Sequence, residues 1–260
     1  MITSTSNAQV KDLMRLMKKS RARDEAGVFI IEGIRMAEEI PHDRLEKLYV
    51  SESFAEKNGD FLSGMKARYE ILSDQVFAHI SDTKTPQGIL AVVRRMEYGF
   101  GNILGSGTPH VLVLDCLQDP GNLGTIFRSA EAAGATGILL GRECVDIYNP
   151  KVIRSTMGAV FRLPFLYVED LTAGIEELKK NGLRIYAAHL EGKNPYDRED
   201  YRSGCAFLIG NEGNGLRDEV AACADCRIRI PMAGQAESLN AAVAASVLMF
   251  EAARQRRNGG

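Results

Sequence analysis

The feature that most constrains the fold is an alternation that begins at Val111. Apolar runs recur at 111–115, 137–140, 164–167, 184–188, 205–209 and 227–230, and helical segments are expected between and after them at 122–133, 150–157, 170–181, 216–223 and 238–256. Runs that are apolar almost throughout describe strands buried on both faces, which means an α/β arrangement with a parallel sheet covered by helices. Ligands of such sheets bind beyond the carboxyl ends of the strands. Pro231 stops the last strand because it lacks the N–H that a ladder needs. A small-residue turn follows, then a run from Ser238 to Ala253 rich in alanine and serine. That run has high helical propensity and little bulk, so other backbones can approach it closely. Ser238, as its cap, and Asn240 are expected to open this helix, where unpaired N–H groups face the loop.

Three stretches place polar residues at the carboxyl edge. Asp115, Asp119-Pro120, Asn122, Gly124 and Arg128 read D-x-x-x-D-P-x-N-x-G-x-x-x-R across strand, turn and helix. Gly210-Asn211-Glu212-Gly213-Asn214-Gly215-Leu216 reads G-N-E-x-x-G-L, and Ile230 to Asn240 reads I-P-M-x-G-x-x-x-S-L-N. In this order the trio closely resembles the SpoU (TrmH) family of RNA ribose 2′-O-methyltransferases, of the SPOUT superfamily. The resemblance covers residues 109–256 and extends more weakly over the N-terminal part.

The resemblance implies S-adenosyl-L-methionine (AdoMet) as methyl donor, RNA as partner and a homodimer. It also implies a deep trefoil knot in which the C-terminal helix passes through a loop, a threading that the sequence physics alone would not suggest. The catalytic positions it implies are Asn122, Arg128, Glu212, Ser238 and Asn240. The cofactor-binding positions are Gly210, Ile230 and Leu239, with His189 and Leu190 after the 184–188 strand, and Asn211, Gly215, Met232 and Ser238 in the same loops. Methyl transfer from a sulfonium to a hydroxyl is an in-line displacement, so the site must align the oxygen and offset the charge developing on it. The family credits the first-motif arginine with activating the 2′-hydroxyl. An arginine is a poor proton acceptor, and its fork of donors suits phosphate clamping and alkoxide stabilisation better. Glu212 is expected to hydrogen-bond and orient Arg128.

Upstream, Ser6-Asn7-Ala8-Gln9 reads as a capping box, and Val10, Leu13, Met14 and Met17 recur at helical spacing. The opposite face carries Lys11, Arg15, Lys18 and Lys19, followed by Arg21 and Arg23. These cations are either a solvated face or contacts to RNA phosphates. Strands are expected at 28–31, 45–50, 69–72 and 89–93, with helices from Gly33 to Ile40, from Ser53 to Gly59, and from Ser73 to His79. This describes a smaller α/β domain over 1–96, which resembles the L30e-like substrate-binding domain of many SpoU enzymes. The glycine-rich stretch Tyr98–Gly107 places a linker at 97–108, ahead of the methyltransferase domain at 109–260.

Composition removes other classes. A net charge of −2 gives no overall nucleic-acid signature, so an RNA surface must be a local patch. No apolar run is long enough for a bilayer and the polar N-terminus is unlike a signal peptide, so no membrane partner and a cytoplasmic setting are expected. Five cysteines read as reduced thiols. Cys223-Ala224-Asp225-Cys226 has no second ligand pair, and His42, His79, His110 and His189 lack ligand spacing, so no metal is expected. The glycine spacing G-x-x-G-x-G of 210–215 is not the dinucleotide fingerprint, which argues against an oxidoreductase. The leading reading is a 23S ribosomal RNA methyltransferase, the L30e-like appendage favouring a structured internal RNA. A tRNA methyltransferase and a catalytically silent RNA-binding paralogue are the alternatives. All five catalytic positions are present, which argues against the silent form.

Overall fold

The computed structural model describes residues 1–65 and 67–259. They form two compact units, Met1–Met96 with Asp146–Phe161, and residues 97–145 with 162–259.

The first unit is a four-stranded sheet, with β1 (Val28–Glu32), β2 (Leu45–Ser51), β3 (Tyr69–Leu72) and β4 (Ile89–Arg94) in the order β1-β4-β2-β3. β4 runs antiparallel to β1 and β2, and β2 runs parallel to β3. The helices are α1 (Ala8–Lys18), α2 (Ser20–Ala26), α3 (Ile34–Glu38), α4 (Glu52–Lys57), α5 (Gly59–Gly64) and α6 (Asp74–Ile80). All four expected strands are present, and α5 is an addition to the helices expected. α1 buries Val10, Leu13, Leu16 and Met17 in one core with Leu72, Val76 and Phe77. Its cap is Asn7 rather than Ser6: the Asn7 carbonyl oxygen accepts the Gln9 N–H at 2.9 Å. The Gln9 side chain is not part of a capping box, because its oxygen accepts from Lys47 and Tyr49 instead.

β1 is buried along its whole length and needs cover on both faces. One cover comes from the distant segment 146–161, which holds α9 (Pro150–Thr156) and the start of α10 (Ala159–Arg162). Phe29 packs on Tyr148 with ring centroids 4.6 Å apart. Arg23 is buried and donates to Asp146 at 2.6 and 3.1 Å and to the Leu16 carbonyl at 2.7 Å. Arg23 is therefore a structural tie for this segment and not part of a solvated basic face.

The second unit carries β5 (His110–Leu114), β6 (Gly137–Gly141), β7 (Phe165–Val168), β8 (Arg184–Ala188), β9 (Asn194–Pro195), β10 (Cys205–Ile209) and β11 (Cys226–Arg229). They form one parallel sheet in the order β7-β6-β5-β10-β8-β11-β9. The helices are α7 (Phe100–Leu104), α8 (Pro120–Ala132), α11 (Leu171–Lys180), α12 (Asp218–Ala222) and α13 (Ala241–Asn258). The expected linker is in part the helix α7, whose Ile103 is fully buried. A β-carbon at Gly137 would lie 2.5 Å from the Ile103 Cα, so α7 can sit on β6 only where the strand has glycine. β5 and β10 lie side by side at the centre, and the first two motifs leave their carboxyl ends. α13 packs on α8 and β10 through Ala242, Ala245, Leu248, Met249 and Ala252, all buried. Its far end is held by Arg256, which donates to the carbonyls of Thr108, Pro109, Tyr201 and Ser203. Among the described residues no helix is long and apolar enough to cross a membrane.

Candidate active site

The site starts where β5 ends. Asp115 is completely buried, and Cys116 next to it has φ 52°, a left-handed conformation that costs a residue with a side chain. The turn then enters α8 through Asp119, whose carboxylate accepts the Asn122 N–H at 2.7 Å, with Pro120 at the first helical position. Asn122 thus stands on the first turn of α8.

The second stretch folds into a tight hairpin closed by reciprocal main-chain bonds between Asn211 and Gly215, at 2.9 and 3.0 Å. A β-carbon at Gly210 would lie 2.2 Å from the Gly215 carbonyl carbon, so the two arms can approach only with glycine there. The Asn211 amide donates to the Cys116 carbonyl at 2.8 Å, which fastens the hairpin to the turn after β5. Glu212 reaches over the start of α8, where helix N–H groups lack partners and a negative charge is favoured. One of its oxygens accepts the Asp119 N–H and the Asn122 amide, both at 3.0 Å, and the other accepts the Gln118 N–H at 3.2 Å. Partial burial raises the Glu212 pKa, but the donors from Asn122, Asp119 and Gln118 outweigh it and hold the carboxyl below its ordinary value.

The third stretch joins through Asn240. Its amide donates to the Asn122 carbonyl oxygen at 2.9 Å, while its own carbonyl oxygen caps α13 at Ala242 and Val243. Hydrogen bonds therefore run from Glu212 to Asn122 to Asn240 and link all three motifs. Two expectations change here. The cap of α13 is Asn240 and the helix starts at Ala241, so Ser238 stays in the loop, exposed. Glu212 orients Asn122 and the start of α8 rather than Arg128. Arg128 lies on the exposed side of α8, and among the described residues it makes no hydrogen bond or ion pair.

Around these groups lies a cavity of about 590 Å³. His189 and Leu190 after β8, the hairpin Gly210–Leu216, residues 228–232, residues 237–239 and the small side chains Ala241 and Ala244 line it. All nine positions expected to bind cofactor are in the wall: His189, Leu190, Gly210, Asn211, Gly215, Ile230, Met232, Ser238 and Leu239. Of the expected catalytic residues, Glu212 and Ser238 are in the wall, Asn122 and Asn240 adjoin it through Glu212, and Arg128 is outside it. From Ile230 to Leu239 no main-chain N–H or C=O is paired among the described residues, so this wall offers free donors and acceptors. The Glu191 N–H is held by Nδ1 of His189, which leaves Nε2 to carry the proton of the neutral ring. The residue missed by the sequence reading is Arg217, which grips Asp115 and follows directly on the second motif. Asp115 heads the first motif, and that position was the available signal.

In the first unit, Lys11, Arg15, Lys18 and Lys19 are all exposed on one helix and its cap, and among the described residues none has a side-chain hydrogen bond or ion pair. Cys223 and Cys226 are free thiols, each with its pKa raised by burial.

A parallel α/β unit whose carboxyl-edge loops line a cavity of small-molecule size is the architecture of a ligand-binding α/β domain. The chain belongs to the SpoU rRNA methylase family, whose model matches residues 109–250. Residues 7–91 match the MRM3-like substrate binding domain. The 23S rRNA (guanosine(2553)-2′-O)-methyltransferase RlmP of Bacillus subtilis is 34% identical over 250 residues, covering 96% of this chain and 97% of that protein. The AdoMet complex of the SpoU methyltransferase AviRb from Streptomyces viridochromogenes superposes with a TM-score of 0.88 at 28% identity, covering 98% of this chain and 100% of that one. An AdoMet-bound rRNA methyltransferase from Sinorhizobium meliloti gives 0.86 at 32% identity, with 97% of each chain covered.

Proposed function

We propose that the chain transfers a methyl group from AdoMet to the ribose 2′-hydroxyl of one nucleotide in structured RNA, and that this RNA is 23S ribosomal RNA. The observation that carries the reading is the hydrogen-bonded line Glu212–Asn122–Asn240, which draws three distant stretches around one cavity. The residues present fit the donor. The volume of about 590 Å³ falls within the range of roughly 300–1,000 Å³ usual for small-molecule sites. The unpaired main chain of 230–239 suits the donor and acceptor edge of adenine, and Gly210 lets the facing hairpin close on itself. When bound, AdoMet supplies an electrophilic methyl on a sulfonium. The chain's own groups do the rest. Glu212, Asn122 and Asn240 hold the loops in register, and Ser238 offers a free hydroxyl at the cavity. Arg128, with its fork unengaged, meets an RNA phosphate or the oxygen on which charge develops.

Residues 1–96 choose the RNA, residues 109–260 carry the transfer, and the cations of α1 contact phosphates. The rRNA assignment is supported by the activity named for the Bacillus subtilis relative. A homodimer is supported by α13, which exposes Val243 and Phe250 on one stripe with Val247, spaced four and seven residues apart. Residues 228–232 and 237–239 line one cavity with the 210–216 hairpin, which suits a threaded C-terminus. Free thiols suit a reducing cytoplasm. The test is transfer of labelled methyl from AdoMet to separated rRNA and tRNA fractions. Label in 23S rRNA supports the assignment; label confined to tRNA overturns the substrate, and no label in either overturns the activity.

A further inference from the structure

The buried carboxylate at the foot of the site is not accounted for by any role above. Asp115 has no exposed surface, yet both of its oxygens are engaged by one residue. Oδ1 accepts from Nε of Arg217 at 2.8 Å and lies 2.8 Å from Nη2 in an ion pair, and Oδ2 accepts the Arg217 main-chain N–H at 2.9 Å. Neither residue lines the cavity, whose wall ends one residue earlier, at Leu216. The neighbouring turn residue adds a second tie, because the Cys116 carbonyl, on a strained backbone, holds Asn211. The end of β5 thus grips both arms of the hairpin, Asn211 on the way in and Arg217 on the way out. Between them lies the Gly210–Gly215 approach, so tight that a β-carbon cannot enter.

We propose that Asp115 and Arg217 are positioning residues for methyl-donor binding, acting through the Gly210–Leu216 main chain; the proposal rests on AdoMet being the ligand of this cavity. A salt bridge kept in a buried place rarely adds much stability over apolar packing, but losing one partner leaves the other charge uncompensated. Here that loss would let the hairpin drift from β5 and change the spacing of the groups that face the donor. The other titratable groups around the pair are the thiols of Cys116 and Cys144 and the carboxylates of Glu143, Asp170 and Glu219. None of them offers Asp115 a second cation.

The test is calorimetric titration of the full chain with AdoMet, together with a thermal melt, for Arg217→Gln, Asp115→Asn, the double variant and Arg217→Lys. Arg217 is partly exposed, so Arg217→Lys and Arg217→Gln can fold even where Asp115→Asn does not. Each single neutral variant is expected to weaken AdoMet binding by at least about tenfold, with Arg217→Lys in between. KM for AdoMet should rise while kcat falls far less. The double variant should bind better than the sum of the single changes allows. An unchanged Kd in folded Arg217→Gln, with only the melting temperature lowered, overturns the positioning role and leaves a stabilising pair. A wild-type chain that binds no AdoMet overturns the cofactor reading and this inference with it.

Discussion

At the residue scale the site separates groups that build the cavity from one that waits beside it. Glu212 was expected to hold Arg128, but it sits over the start of α8 because unpaired helix N–H groups are there and a carboxylate satisfies them. Motif spacing could not show this, since the partner of Glu212 is set by how β5 and β10 lie side by side. The cavity wall came instead from the family resemblance, whose nine cofactor positions lie in the loops that leave β8, β10 and β11. Arg128 remains unengaged, so its removal should spare donor binding. Arg128→Ala is expected to leave the AdoMet Kd nearly unchanged and to lower kcat by at least about a hundredfold, the usual scale for losing a partner of transition-state charge. Arg128→Lys keeps charge without the fork, so rescue by Lys indicates a point-charge role and no rescue indicates bidentate positioning. Calorimetry showing that Arg128→Ala abolishes AdoMet binding, or turnover surviving the change, would contradict the assignment.

At the element scale, the strands were legible because each is apolar nearly throughout, a pattern that needs no tertiary knowledge. The elements that escaped were small or glycine-rich. α7 hides in Tyr98–Gly107 because its stability comes from Ile103 packing against glycine on β6 rather than from its own propensity. The start of α13 was misplaced because Ser238 and Asn240 are both good caps, and the bond from Asn240 to Asn122 decides between them. α1 and α13 each carry a prediction. Changing Lys11, Arg15, Lys18 and Lys19 together to Ala should raise the RNA KM and flatten its salt dependence, since fewer counterions are displaced, while AdoMet binding stays as it was. An unchanged salt slope would mark that face as merely solvated. Phe250→Arg on the exposed stripe of α13 should shift the mass in light scattering at micromolar concentration from dimer toward monomer. A wild-type chain already monomeric and active would remove the dimer.

At the scale of the whole molecule, one device ties stability to pH. His110 on β5 is buried with Nε2 unpartnered, and burial, followed by the charge of Arg256, pushes its pKa down from 6.5 to about 4. Above pH 6.5 the ring is neutral folded or unfolded and has no effect. As pH falls from 6.5 toward 4 the unfolded chain takes up a proton that the folded one refuses, so stability is lost across that window. The loss is on the order of 3 kcal/mol by its acid end. His110→Phe should flatten urea midpoints measured across this range relative to wild type; equal slopes would show that another group sets them. The segment 146–161 is the other feature visible only in three dimensions. Its helix belongs by sequence to the later alternation, and it packs instead on the first unit because β1 is apolar on both faces.

Methylation of a ribose oxygen leaves a chemical mark in the product RNA. A 2′-O-methyl group removes the nucleophile that alkali uses to cleave the next phosphodiester. After transfer of labelled methyl to 23S rRNA and complete alkaline hydrolysis, the label should therefore appear in an alkali-resistant dinucleotide, and its rate of incorporation should fall at least about a hundredfold when Arg128 is Ala. Label recovered in mononucleotides would mean that a base, and not the ribose, had received the methyl group.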